Sequence, residues 1–295
     1  MKLNTLYRGI IPRKKWLQWI LFFTSFFILI YLFLIMPNLT RREALSPFKN
    51  CLFAHRGFFD NTCYVPENSL LAFQKAIDYG YGIELDVQLT KDKVPVVIHD
   101  YNLKRVSGEN VQVSSLTFEE LSAYKLFNSS ESIPSLKEAL ELIDGQVPLM
   151  IELKVGLSYS ETCQKVANVL KSYKGQYCII SFSPLALQWF KEQMPQVIRG
   201  QLSTNFFKDN IGGSPTIKFM LTHLLLNFLS RPDFISYNCK YESNPSLNIC
   251  KNLFGIPVAM WTVRNEEQYD ELIQSYNMIV FDSFIPKSSE YDYLS

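Results

Sequence analysis

The sequence predicts an α/β fold: an eight-stranded (β/α)8 barrel of the TIM type, preceded by one N-terminal transmembrane helix. Three observations predict it. Short apolar runs rich in β-branched and aromatic residues recur through residues 49–295, and most are separated by stretches with helical spacing. Strands that alternate with helices pair in parallel and put the helices outside. This portion is about 250 residues long, the usual size of an eight-unit barrel. Ahead of it, residues 16–36 (WLQWILFFTSFFILIYLFLIM) carry no charged side chain, which matches the ~20 apolar residues that cross a bilayer as a helix.

From the N-terminus, residues 1–15 form a basic segment with Lys2, Arg8, Arg13, Lys14 and Lys15. Arg41, Arg42 and Lys49 follow the apolar run. The bias of basic residues places the N-terminus in the cytoplasm and the bulk of the chain outside, on a single-pass anchor in the cell membrane. A cleaved signal peptide has an apolar core of only ~7–15 residues and a small-x-small cleavage site. Here the run is longer and PNLTRRE follows it, so the helix reads as uncleaved. Residues 37–48 read as a short polar linker and 49–295 as the barrel domain.

Nine strand-like runs are present: CLFAH (51–55), GIELDV (82–87), VPVVIH (94–99), PLMIEL (148–153), YCIISF (177–182), VIRGQL (197–202), DFISYN (233–238), PVAMWTV (257–263) and MIVFDSF (278–284). Between them, PENSLLAFQKAIDYG opens on a proline and an Asn/Ser cap, keeps its apolar residues at helical spacing and stops at Gly80. SLKEALELIDG and EEQYDELIQSY follow the same pattern. VQLTKDK is too short for a crossover helix, so one of the nine runs is a hairpin excursion or an extra strand. The apolar stretch 213–234, which carries His223, reads as a packing helix with a satisfied histidine or as a lipid-facing flap.

Composition excludes some functions. The 29 basic and 28 acidic side chains lack the basic excess of a nucleic-acid binder. Six cysteines form no CxxC pair, and Cys51 and Cys178 lie inside apolar runs, where a free thiol behaves as a small hydrophobe. They read as mostly unpaired. The sequence does not fix an oligomeric state.

In a parallel barrel the C-terminal strand ends converge on one mouth. The runs end in His55 and Arg56, in Glu84 and Asp86, in His99, and in Glu152 and Lys154. Residues two apart on a strand share a face. Taken singly, each has an ordinary structural role open to it. Together, three carboxylates among apolar residues require a proton or a cation between them. Oxygen-only ligands suit Ca²⁺ or Mg²⁺ better than zinc. Two histidines, an arginine and a lysine around one such ion make a phosphate site, with the imidazoles moving protons.

The ordered set AHRG, PENSLLAF, GIELDVQLTKD, VVIHD, IPSLKEAL, IELK, SFSP and WTV resembles the glycerophosphodiester phosphodiesterase family across residues 52 to about 284. The resemblance implies a metal-dependent phosphodiesterase on a TIM barrel. His55 and His99 then correspond to the acid/base pair, and Glu84, Asp86 and Glu152 to the ligands of one divalent ion. Arg56 and Lys154 correspond to phosphate contacts, Glu67 to a supporting carboxylate at the mouth and Trp261 to a substrate-pocket aromatic. A helix-dipole acid and a core tryptophan are the alternatives for these last two. The implied reaction splits glycerophosphodiesters into sn-glycerol 3-phosphate and an alcohol. The alternatives are a lysophospholipase D-like or polyglycerophosphate-cleaving hydrolase and, in another class, an inactive membrane-bound phosphodiester-binding module. Two departures stand out. FFDNTCYV (58–65) makes a long loop expected at the mouth, and Arg264, after WTV, either adds a contact to an anionic substrate or faces solvent, the latter being the expectation.

Overall fold

Eight parallel strands close on themselves in the computed structural model, which describes residues 11–156, 158–282 and 284–287. After α1 (Ile11–Ile35) come β1 (Leu52–His55), α2 (Leu70–Asp78), β2 (Gly82–Leu89), β3 (Pro95–Val97), α3 (Lys104–Ser107), α4 (Phe118–Ser122) and α5 (Leu136–Ile143). Then follow β4 (Leu149–Leu153), α6 (Tyr159–Leu170), β5 (Tyr177–Ser181), α7 (Pro184–Gln193), β6 (Ile198–Ser203), α8 (Pro215–Thr222) and α9 (Asn227–Ser230). The chain finishes with β7 (Phe234–Asn238), α10 (Pro245–Asn252), β8 (Val258–Val263), α11 (Glu266–Ile273) and β9 (Met278–Phe281). Strand β1 pairs with both β9 and β2, which closes the ring.

The expected helices start at their caps. Ser69, Ser135 and Asn265 each accept a hydrogen bond from a backbone N–H in the first turn that follows, satisfying donors that would otherwise lack a partner. Ser135 and Glu138 complete a reciprocal capping box.

The ninth strand is β3. It pairs antiparallel with β2, Val87 opposite Val97, and so stands outside the parallel ring. The chain beyond it, to about residue 134, is an excursion with its own small core, including Val96, Leu103, Val113, Leu121 and Ile133. Helix α5 then restores the ordinary crossover to β4. The excursion matters because it carries His99 and Arg105.

Residues 42–48, expected within a polar linker, form a 3-10 helix that belongs to the barrel. Leu45 and Phe48 are fully buried and join Phe53, Met150, Cys178, Ile198 and Phe234 in the apolar cluster that fills the barrel interior. They plug its N-terminal end. The charged and polar residues that make up most of TRREALSPF hide this, since only two of the nine are buried.

Helix α1 is long and apolar enough, from Lys15 to Ile35, to cross a membrane. Among the described residues it is helical from Ile11 onward, ahead of residue 16, so the basic residues before the apolar run are part of the helix. Residues 1–10 of the expected basic segment lie outside the described residues. From Trp16 to Ile30 the α1 side chains are exposed, whereas Ile35 is buried against the barrel. The 213–234 stretch is divided into α8 and α9, with Leu224 in the left-handed region between them. His223 ends α8 with its ring 4.6 Å from that of Phe219. All six cysteines are unpaired.

Candidate active site

Strand register assembles the acids. Glu84 and Asp86 lie two apart on β2, and Asp86 is directly opposite Glu152 on β4. His55 is opposite Glu84 on the other side. Parallel register partners share a face, so these side chains gather at the C-terminal end of the barrel. Ligand atoms of Glu84, Asp86 and Glu152 lie within 4.8 Å of one another, and all three residues are buried.

The cations interleave with them. The Lys154 Nζ is 3.1 Å from Asp86 Oδ1 and 2.7 Å from Glu152 Oε1. Apart from that ammonium, these two oxygens have no partner. Arg56 donates its backbone N–H to Glu84 Oε2 at 3.1 Å, and its Nε is 3.5 Å from Asp86. This aim requires a left-handed backbone at Arg56 and again at Gly57, where a Cβ would stand 2.9 Å from Ala72; glycine alone adopts that conformation there without a clash. Asn68, also left-handed, donates to Asp86 Oδ2 at 2.9 Å.

Three carboxylates face two fixed cations, which leaves one negative charge in excess. Burial pushes the Glu84 carboxyl well up, and the charges of Asp86 and Glu152 add to the effect. Burial also drives Glu152 up, to about 7, against the pull of Lys154. Burial would raise Asp86 too, but Lys154, His99, Arg56 and His55 outweigh it and hold Asp86 well below the carboxylate range. Such frustration, together with orphaned buried acceptors, fits a divalent cation on hard oxygen ligands.

Each histidine is oriented by a carboxylate. His55 Nδ1 is 3.2 Å from Asp282 Oδ2, and His99 Nδ1 is 2.6 Å from Asp100 Oδ1. Burial lowers both imidazoles, so both favour the neutral form. With Nδ1 engaged, Nε2 is the nitrogen left for proton transfer on each ring. Gln88 fastens the His99 loop by donating to the carbonyls of Ile98, His99 and Asp100, each at 2.9 Å.

Glu67 lies just before the cap of α2 rather than in its first turn. It is clasped by Arg56 Nη1 at 2.6 Å and by both terminal nitrogens of Arg105. The long 58–65 loop contributes Asn61, which donates to Glu67 Oε2 at 3.0 Å. Trp261 lies in the pocket wall, edge-on to Phe182, with its indole Nε1 buried and unpartnered. Arg264, expected to face solvent, is half exposed. Its Nε reaches to 3.4 Å from Asp282, and it lines the same pocket.

Asp282, Asp100, Asn68, Gln88 and Arg105 were not expected as site residues. Asp282 follows the last strand, so the strand-end rule that picked out His55 would have found it. Asn68 and Asp100 sit inside quoted motifs. Arg105 has no local signal, because only the folded excursion brings it to Glu67.

A cleft of about 240 Å³ is lined by His55, Arg56, Glu84, His99, Glu152 and Lys154. A larger cavity of about 1000 Å³ shares His99, Glu152 and Lys154 and is walled by Leu153, Phe182, Phe206 and Ile211.

Comparison with known proteins gives a consistent picture. The model of the glycerophosphoryl diester phosphodiesterase family matches residues 55–282. A glycerophosphodiester phosphodiesterase of Caldanaerobacter subterraneus is 38% identical over 165 residues, 52% of this chain and 67% of that protein. A lysophospholipase D of Rattus norvegicus is 33% identical over 280 residues, 83% of this chain and 85% of that protein. The barrel superposes on an Oleispira antarctica phosphodiesterase solved with its product sn-glycerol-3-phosphate. The TM-score is 0.66 at 24% identity, covering 85% of this chain and 99% of that one, a likeness of fold.

Proposed function

This chain belongs to the glycerophosphoryl diester phosphodiesterase family, and on that premise we propose that it hydrolyses glycerophosphodiesters to sn-glycerol 3-phosphate and an alcohol, aided by one divalent cation. The observation that carries the reading is the buried group Glu84, Asp86 and Glu152, with ligand atoms within 4.8 Å of one another beside two carboxylate-oriented histidines. These three residues would hold Ca²⁺ or Mg²⁺. When bound, such an ion would stabilise the negative charge that builds on the phosphoryl oxygens.

The chain's own residues do the rest. Arg56 and Lys154 line the small cleft and hold nonbridging phosphate oxygens, as charge-assisted donors do. His55 and His99 divide the proton work. One takes a proton from the attacking water and the other gives one to the leaving alkoxide. Asp282 and Asp100 keep each ring in the tautomer with Nε2 presented. Glu67 sets the Arg56 guanidinium in place.

A lysophospholipid is the second substrate class we infer. The larger cavity, with Phe182, Phe206 and Ile211 in its wall, suits the acyl chain of a lysophospholipid, which stays on the phosphate-bearing product while the head-group alcohol leaves, and the rat relative is named a lysophospholipase D. Helix α1 is taken as a single-pass anchor, and the basic bias around it as placing the barrel outside the cytoplasm. The test uses the full chain in detergent with glycerophosphocholine and lysophosphatidylcholine, with Ca²⁺, Mg²⁺ or chelator. Metal-dependent release of sn-glycerol 3-phosphate supports the first reading, and free choline from the lysolipid supports the second. Ion binding without turnover of either substrate would instead mark an inactive binding module.

A further inference from the structure

We propose that the C-terminal face of the barrel, with the active-site mouth, lies against the bilayer from which α1 emerges, and that the segment from Thr204 through α8 is its second contact with the lipid surface. The inference rests on α1 spanning the membrane, as proposed above.

The direction of α1 carries it. Helix α10 leaves the C-terminal face after β7 and returns to the start of β8, so it descends the barrel wall. The Tyr31 hydroxyl meets Ser246 Oγ, in the first turn of α10, at 2.8 Å. Four residues on, the Ile35 carbonyl accepts from Cys250 Sγ at 3.4 Å, four residues further along α10. The two helices therefore run side by side in the same direction. The chain then continues downward. Asn227 donates to the Ile35 carbonyl, Arg231 to that of Met36 and Asn38 N–H to that of Pro232, just before β7 begins. Everything in α1 before Tyr31 consequently projects beyond the C-terminal face.

Length points the same way. Residues 16–30 rise about 22 Å at ~1.5 Å per residue, short of the ~30 Å hydrocarbon core. If the last turns of α1 also reach into the bilayer, the barrel rim beside them sits at headgroup depth. That rim is built for it. Ser203, at the end of β6, donates to the Leu221 carbonyl at 2.8 Å and so holds α8 over the mouth side. Phe207, Ile211, Ile217 and Phe219 are exposed there, each between 37% and 51%. Lys208 and Lys218 stand among them. Apolar side chains mixed with lysines are the composition of a segment that lies in an anionic lipid interface. The larger cavity is lined by Phe206 and Ile211 of this same segment, so a lipid-borne substrate would enter from the bilayer without crossing water.

Nitroxide labels on the full chain test the placement. Ile217→Cys and Phe207→Cys mark the rim, and Gln176→Cys, at the start of β5, marks the opposite face. Each is made with Cys63→Ser, which removes the exposed thiol. The variants are reconstituted in vesicles of phosphatidylcholine and phosphatidylglycerol. Several-fold greater collision with oxygen than with a water-soluble nickel chelate is expected at 217 and 207, and the reverse at 176. Labels at 217 and 207 as open to nickel as the one at 176 would overturn the placement while leaving the anchor standing. Release of the protein from the vesicles by alkaline carbonate would remove the anchor, and the placement with it.

Discussion

Asp86 and Glu152 are register partners on adjacent parallel strands, and one ammonium, that of Lys154, lies within 3.1 Å of both. A single cation shared by two buried carboxylates, with Glu84 completing the group, leaves the site electrostatically unfinished. Ca²⁺ or Mg²⁺ should therefore raise the melting temperature of the purified chain. An ion at a hundred times its Kd contributes about 2.7 kcal/mol. Asp86→Asn and Glu152→Gln should each abolish that rise. Melting temperatures that do not differ between excess chelator and excess ion would remove the metal from this account.

His55 and His99 approach the same cleft from different elements, a barrel strand and the excursion. Each is tied by Nδ1 to a carboxylate. His55→Ala and His99→Ala should each lower kcat by about 10²–10⁴-fold, the usual worth of a positioned acid or base, with melting temperatures close to that of the parent. Asp282→Asn should lower kcat while leaving KM nearly unchanged, because it disturbs the tautomer of His55 and not the phosphate contacts. A His99→Ala enzyme with undiminished turnover would rule out its proton role.

Much of this was legible in the sequence because barrel geometry is periodic. Glu84 and Asp86 announce themselves by sitting two apart in an apolar run, and Glu152 and Lys154 repeat the spacing. The caps at Ser69 and Ser135 marked two helices, and helical spacing marked a third, for local reasons. What stayed hidden depends on chain folding far along the sequence. The short VQLTKDK link already showed that one of the nine strand-like runs is an excursion or an extra strand, but no periodicity shows that it is β3, paired antiparallel with β2. Arg105 reaches Glu67 across 38 positions. Leu45 and Phe48 looked like linker residues because their neighbours are charged or polar.

The Arg56–Glu67–Arg105 clasp gives a pH signature. Burial would raise the Glu67 carboxyl, but hydrogen bonds and charge from Arg105 and Arg56 prevail and lower it to about 2. A carboxyl depressed in the folded state contributes stability above its unfolded pKa and loses it as pH falls through the folded value. The shift corresponds to about 3 kcal/mol. Glu67→Gln should thus melt well below the parent at pH 7. The gap should narrow as pH drops below about 4.5 and close near pH 2. A gap independent of pH would mean that the clasp holds by shape rather than charge.

Phe48 closes the floor of the barrel, and its loss should be felt throughout. The side chain is 1% exposed and packs with Phe53, Met150, Cys178 and Phe234 in the interior cluster. Leu45, also fully buried, and the partly buried Cys51 are the other residues ahead of β1 that pack against this cluster. Truncating a buried phenylalanine to alanine costs about 3–5 kcal/mol, and Phe48→Ala should fall in that range by urea unfolding. Leu45→Ala should cost about 2–5 kcal/mol. Thr40→Ala, in the same segment but on its exposed side, should stay within about 0.5 kcal/mol of the parent. If Phe48→Ala and Thr40→Ala were equally mild, residues 37–48 would be a linker after all and the barrel would close without them.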